Sequence, residues 1–200
     1  GRPCPSFSPS YYQDKRTFRF QEHGYDFSSD IGSITEGLQT LVVNKIIPNI
    51  SPVNEVLKNG GSLLDFGCGT AKLLIKASSL FPDALFYGLD IDKSGIEIGN
   101  KSIKELQIEN KIKLINTNDE DYVVSESIDV VTMIEVFHEI SENKRGSVLK
   151  NIFKLLKKNG YLIILDETMP ERKNLKNPEA NLAVLTQYNE MTWGNVVPKA

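Results

Sequence analysis

From Ser62 onward, five short apolar runs alternate with stretches of helical periodicity, and this alternation narrows the folds open to the chain more than any other feature. The strand candidates are 62–66, 84–89, 112–116, 128–134 and 160–166. The helix candidates are 70–80, 93–107 and 142–158. Strands alternating with helices form βαβ units, and apolar strands joined by helices are covered on both faces. The pattern predicts an α/β fold, doubly wound around a mostly parallel sheet. Lys157, Lys158 and Asn159 ahead of Gly160 mark the end of the third helix, where cations suit the negative end of the helix dipole.

The flanks read differently. Residues 1–30 hold Phe7, Tyr11, Tyr12, Phe18, Phe20, Tyr25 and Phe27 without a clear period, which predicts an irregular arm. Ile34, Leu38, Leu41, Val42 and Ile46 then share one helical face over 31–50. Pro48 and Pro52 interrupt this helix, and a second short one at 52–58 ends at Asn59 and Gly60, two residues that tolerate positive φ. The organisation expected is an arm with cap helices at 1–60, an α/β core at 61–169 and a C-terminal lid helix within 170–200. That last helix opens at Pro178 and carries Leu182, Leu185, Tyr188 and Trp193. The aromatic arm and the last helix either pack on the sheet edge or close over the site as a lid.

Composition excludes several classes. Twenty-three basic against 26 acidic residues leave a net charge of −3, so no global positive field draws the chain to nucleic acid or anionic lipid. The longest apolar runs, such as 162–165, fall far short of the roughly 20 residues a membrane helix needs, and no charged-then-apolar leader opens the chain. Cys4 and Cys68 suggest no disulfide framework, so a cytoplasmic protein is expected. His23 and His138 are the only histidines and there is no CxxC, so no metal is expected.

The chemistry concentrates in the stretch from Leu63 to Ala71, LLDFGCGTA, after the first strand and before a helix. Gly67 and Gly69 let backbone approach a ligand closely. A dinucleotide loop of the form G-x-G-x-x-G would need a third glycine where Lys72 stands, which weighs against a nicotinamide oxidoreductase. Asp65 ahead of the loop would repel a diphosphate. Asp90 ends the second strand, 23 residues after Gly67, where a carboxylate can accept hydrogen bonds from ribose hydroxyls. Together these describe a site for a cationic, ribose-bearing ligand without phosphate, which S-adenosylmethionine satisfies.

On these residues the chain resembles the class I S-adenosylmethionine-dependent methyltransferases over residues 61–169, with Ala71 standing where that family's loop usually has a third glycine. The resemblance implies the strand order 3-2-1-4-5 of a Rossmann-like methyltransferase fold. It implies that the backbone around Gly67, Cys68 and Gly69 packs on the methionine part, with Asp65 supporting its ammonium. Asp90 would hold the ribose, Ile91 would lie on the adenine face, and Asn118 or Asp119 would meet the adenine amino group. After the fourth strand, Ile134 would offer its carbonyl to the ammonium. Glu135 and His138 are the candidate catalytic residues: His138 as base toward an acceptor hydroxyl or amine, Glu135 as acceptor for the methionine or substrate ammonium. The loop lacks an (Asn/Asp)-Pro-Pro-(Tyr/Phe) run and a Pro-Cys nucleophile, which disfavours methylation of adenine or glutamine nitrogen and of cytosine carbon.

The function implied is methyl transfer to an O, N or C nucleophile, preferably of a small-molecule acceptor. Transfer RNA or protein acceptors, and a non-catalytic cofactor-binding regulatory domain of a longer chain, stay open as alternatives. So does a homodimer.

Overall fold

The computed structural model describes residues 24–117 and 126–166. Within them, five strands form one sheet: β1 (Ser62–Phe66), β2 (Leu85–Asp90), β3 (Ile112–Asn116), β4 (Ile128–Ile134) and β5 (Leu156–Leu165). Their order is β3-β2-β1-β4-β5, and every pairing is parallel. The α/β class and the order 3-2-1-4-5 are therefore as expected.

The helices are α1 (Tyr25–Ile34), α2 (Glu36–Leu41), α3 (Ile47–Asn49), α4 (Ser51–Lys58), α5 (Lys72–Leu80), α6 (Lys93–Glu105) and α7 (Glu142–Leu155). A π-helical stretch, Val42–Ile46, joins α2 to α3 just ahead of Pro48, whose ring nitrogen cannot donate to the preceding turn. No described helix is long and apolar enough to cross a membrane.

Because side chains alternate across a strand, the two leucines of β1 serve opposite faces. Leu63 joins Phe86, Val130 and the buried residues of the cap, α5 and α6, among them Val53, Leu57, Leu74 and Ile103. Leu64 joins Leu89, Val131 and Met133 with Ile152 and Leu155 of α7. Both faces are thus covered, which is why the central strands β1 and β4 are mainly apolar rather than alternating.

Two sequence expectations are corrected. The cap begins at Tyr25 rather than at residue 31, so Tyr25 and Phe27 belong to α1 and not to an irregular arm. The third crossover helix stops at Leu155, and β5 starts at Leu156 instead of residue 160. The pairing jumps there from Ile128 opposite Leu156 to Val130 opposite Tyr161, and the extra residues are taken up around Asn159 (φ 70°) and Gly160. Lys157 therefore does not serve a helix dipole; its Nζ bonds Asp129 Oδ2 at 2.8 Å. Most of the aromatic arm and the whole lid-helix expectation lie outside the described residues.

Close packing beneath the site depends on Gly88 in β2. A methyl group added there would lie 2.6 Å from Cys68 Sγ and 2.6 Å from Leu114 Cδ2. Gly88→Ala is expected to destabilise the fold by about 1–3 kcal/mol through overpacking. Urea unfolding checks this, and an unchanged midpoint would mean the glycine loop yields freely.

Candidate functional site

The loop after β1 is shaped by backbone angles that side chains disfavour. Gly67 (φ 81°) and Gly69 (φ 50°) are left-handed, and so is Ala71 (φ 61°), the residue that stands in place of a glycine. The alanine carries a left-handed strain of about 1 kcal/mol. At Gly67 a Cβ would also meet Val136 Cγ2 at 2.4 Å, so the turn leaves no room for one. The loop is tied across the sheet: Gly67 and Cys68 donate their N–H groups to Leu89 O at 2.8 and 3.1 Å.

Asp90, at the tip of β2, is the hub. Its Oδ2 accepts from Gly69 N at 2.6 Å, and its Oδ1 accepts from Asp92 N at 2.7 Å. Asp92 in turn caps α6, accepting from Ser94 N and Gly95 N. Asn116 at the end of β3 donates to Ile91 O at 3.1 Å, and Thr117 N donates to Asp90 O. Burial pushes the Asp90 carboxyl upward despite these donors.

Asp65 lies deeper, 4% exposed, and accepts from Thr132 Oγ1 at 2.7 Å. Loss of hydration raises its pKa to about 7, outweighing the Thr132 hydrogen bond that favours the ionised form. Burial also pushes the Cys68 thiol up, and the nearby Asp90 and Asp65 charges add to this. Cys68 is a buried structural thiol rather than a nucleophile.

Asp65, Gly67, Cys68, Gly69, Asp90, Ile91, Ile134 and Glu135 all line one cleft of about 410 Å³ at the carboxyl ends of β1, β2 and β4. That is where the reversal of strand order in an open α/β sheet creates a crevice. Ile91 is 49% exposed beside it, an apolar surface available to a flat ligand. Asn118 and Asp119 lie outside the described residues, although their neighbour Thr117 is on the cleft wall.

His138 is placed differently. It does not contribute to the cleft lining; its ring sits one layer behind, with Nδ1 2.5 Å from Asp166 Oδ1 and its N–H on Asp166 Oδ2 at 3.1 Å. Burial opposes ionisation of Asp166, but these contacts with His138 hold its carboxyl below the usual range. Arg145 reinforces the segment, bonding His138 O and Ile140 O and stacking 5.0 Å over Phe137. Glu135, His138 and Asp166 bring ligand-type atoms within 4.8 Å of one another. Because the His138–Asp166 contact is itself a hydrogen bond, the group is suited to holding a proton.

Sequence reasoning had no hold on the cap's contribution. Ser28, Ile31 and Gly32 of α1, Thr35 at the junction, and Leu38 and Gln39 of α2 form a further wall of the cleft. The pairing of Asp166 with His138 spans 28 residues of chain, and no local pattern in the sequence marks it.

A family model described as a methyltransferase domain matches residues 57–197. Among curated proteins, O-methyltransferase 3 of Dictyostelium discoideum is 26% identical over 178 residues, covering 84% of this chain and 40% of that protein. A demethylmenaquinone methyltransferase of a Geobacillus species is 29% identical over 116 residues, covering 57% of this chain and 48% of that protein. The chain spans under half the length of either relative. Among solved structures, an O-methyltransferase family protein from Burkholderia thailandensis shares the fold with a TM-score of 0.67, at 16% identity over 91% of this chain and 54% of that one. With the domain match running through the sheet, the glycine loop and the acidic strand tips, the chain belongs to the methyltransferase-domain family.

Proposed function

We propose that this chain is an S-adenosylmethionine-dependent methyltransferase that transfers the methyl group to an O, N or C nucleophile of a small-molecule acceptor. The observation that carries the reading is the 2.6 Å bond from the Gly69 amide to Asp90. It sets a side-chain-free loop against a strand-tip carboxylate within one cleft, the arrangement a cationic, ribose-bearing ligand needs. In this reading the loop backbone packs on the methionine part, Asp90 accepts from the ribose and Ile91 covers the adenine. The adenine amino group falls to Asn118 or Asp119.

The sulfonium already activates the methyl carbon, so the protein's main tasks are alignment and exclusion of water. Transfer to a neutral hydroxyl or amine also leaves a proton to remove. Glu135 faces the cleft, and the His138–Asp166 pair behind it can stabilise a positive imidazolium. A small acceptor is supported by the cleft volume of about 410 Å³, within the range of small-molecule pockets, and by the net charge of −3. A cytoplasmic location is supported by Cys68, a free thiol.

Asp90→Ala is expected to weaken S-adenosylmethionine binding by about 1.5–3 kcal/mol, the scale of hydrogen bonds to a charged group. Calorimetric titration measures this, and unchanged affinity would remove Asp90 from the ribose site. Glu135→Gln and His138→Ala are each expected to lower turnover on the true acceptor about 10²-fold while sparing cofactor affinity. Wild-type turnover in His138→Ala would reduce that residue to a clamp on the loop.

Asp65 adds a pH dependence. Its folded pKa of about 7 lies above the ordinary 3.8, so its contribution to stability is fully present below pH 3.8 and is lost as pH rises through 7. A cation entering the cleft favours the ionised form and so expels the proton. Affinity for S-adenosylmethionine should therefore tighten severalfold between pH 5.5 and 7.5, and Asp65→Asn should flatten that rise. Titrations of both proteins across that range test it, and a flat wild-type profile would count against the assignment.

A further inference from the structure

Helix α1 is more than a cover over the sheet, because it touches the cofactor machinery at two points. Ser28 Oγ donates to Asp92 Oδ2 at 2.6 Å, with both side chains buried. Asp92 is the residue whose amide holds Asp90 Oδ1 and whose carboxylate caps α6. A continuous hydrogen-bonded path thus runs from α1 through Asp92 and Asp90 to the Gly69 amide. One turn further along α1, Gly32 lies against the loop itself: a methyl group added there would sit 2.5 Å from Thr70 Oγ1 and 3.2 Å from Thr70 Cγ2. The Thr70 hydroxyl is buried, with no hydrogen-bond partner among the described residues. Its neighbour is therefore fixed by shape rather than by a bond.

The same helix supplies Ile31 to the cleft wall, and Thr35 at the junction with Leu38 and Gln39 of α2 continue that wall. Glu36, where α2 begins, pairs with Lys72 and Lys76 of α5 at 3.0 Å each, so the wall is anchored to the helix that follows the glycine loop. Glycine loop and cap wall are in mechanical contact.

We propose that α1 is coupled to cofactor binding through Ser28 and Gly32, two positioning residues that hold the cap wall of the cleft against the glycine loop. Resting on the cofactor reading above, this gives α1 a role in the order of events. A ligand that fixes Asp90 and the loop also fixes the surface on which Ser28 and Gly32 dock, so the cap wall of the cleft forms on the loaded protein. Linkage makes the effect reciprocal: whatever α1 docking contributes to cofactor affinity, the cofactor returns to α1 docking by the same factor.

The test is titration of the full chain with S-adenosylhomocysteine, together with hydrogen exchange of the α1 amides with and without it. Gly32→Ala is expected to weaken binding about tenfold, within the usual span of coupling energies. Thr70→Ala removes the hydroxyl and methyl that a new Cβ would strike. The Gly32→Ala/Thr70→Ala double variant should therefore return to within about threefold of Thr70→Ala alone, the non-additivity of residues in contact. Ser28→Ala deletes a single oxygen and should weaken binding about fivefold, which keeps the question answerable if Gly32→Ala does not fold. In wild type, S-adenosylhomocysteine should slow exchange across α1. In each weakened variant that protection should shrink in step with affinity, a readout that a purely structural loss would leave unchanged. Wild-type affinity in Gly32→Ala and Ser28→Ala, no recovery in the double variant, or α1 protection independent of the ligand would each overturn the coupling while leaving the cofactor reading intact. A wild-type chain that does not bind S-adenosylhomocysteine would instead overturn the cofactor reading, and the coupling with it.

Discussion

The hydrogen bond from Gly69 N to Asp90 Oδ2 is the contact on which the rest of the site depends. It can form because β1 and β2 pair in parallel, with Phe66 beside Leu89, so that the chain leaving β1 passes the tip of β2. Two further amides, those of Gly67 and Cys68, extend the pairing beyond the last strand residue by sharing Leu89 O. The loop is left with left-handed angles that only glycine adopts without cost, and with Ala71 carrying a small strain at the point where α5 begins. Each of these local choices would be unfavourable alone. They are held because the sheet beneath them, packed on both faces, fixes where the two strand tips lie.

The electrostatic cost of the arrangement is borne in the same place. Asp65, Asp90 and Asp92 are three carboxyls gathered at the ends of adjacent strands, and burial raises two of them above their ordinary range. Desolvation is tolerable where backbone amides and Thr132 supply hydrogen bonds, since an unmet buried charge would cost far more. The balance differs along the cleft. Asp90 has amide donors on both oxygens, whereas Asp65 has one hydroxyl donor and a pKa of about 7. A cleft lined by Asp65, Asp90, Asp92 and Glu135 favours a cation over an anion, in keeping with a family whose cofactor carries a sulfonium.

Much of this was legible in the sequence, and the limits have physical causes. Strands β1, β3 and β4 were bounded correctly because each is a short, mainly apolar run set off by polar or glycine-containing turns. The glycine loop and Asp90 were legible because both sit at fixed offsets from strand ends. The α7–β5 junction was misjudged because Lys157 and Lys158 look like a helix terminus until Asp129, 28 residues earlier, is known to face Lys157. The start of α1 was hidden for a similar reason: Ser28 reads as a loop residue, and only its bond to Asp92, 64 residues away, explains its burial. Local propensity marks elements, while contacts between elements decide where they begin.

His138 shows the same principle at the level of chemistry. A histidine after the fourth strand suggests a side chain reaching into the cleft, yet the ring turns to the tip of β5, where Asp166 takes both its Nδ1 and its backbone N–H. The residue on the wall is Glu135, in a left-handed conformation (φ 56°) that a non-glycine residue holds at a cost of about 1 kcal/mol. Its N–H is bonded to Leu165 O, so the strain is maintained by the sheet edge and by the same β5 tip that holds His138. Under the proposed methyl transfer, Glu135 on the cleft wall and the His138–Asp166 pair would divide two tasks that one exposed histidine would have to combine. In the proposed reaction Glu135 would meet the acceptor, while His138 stays held by Asp166. Asp166 and Arg145 brace the β4 tip, so the distances among Glu135, His138 and Asp166 are set by the fold rather than by a ligand.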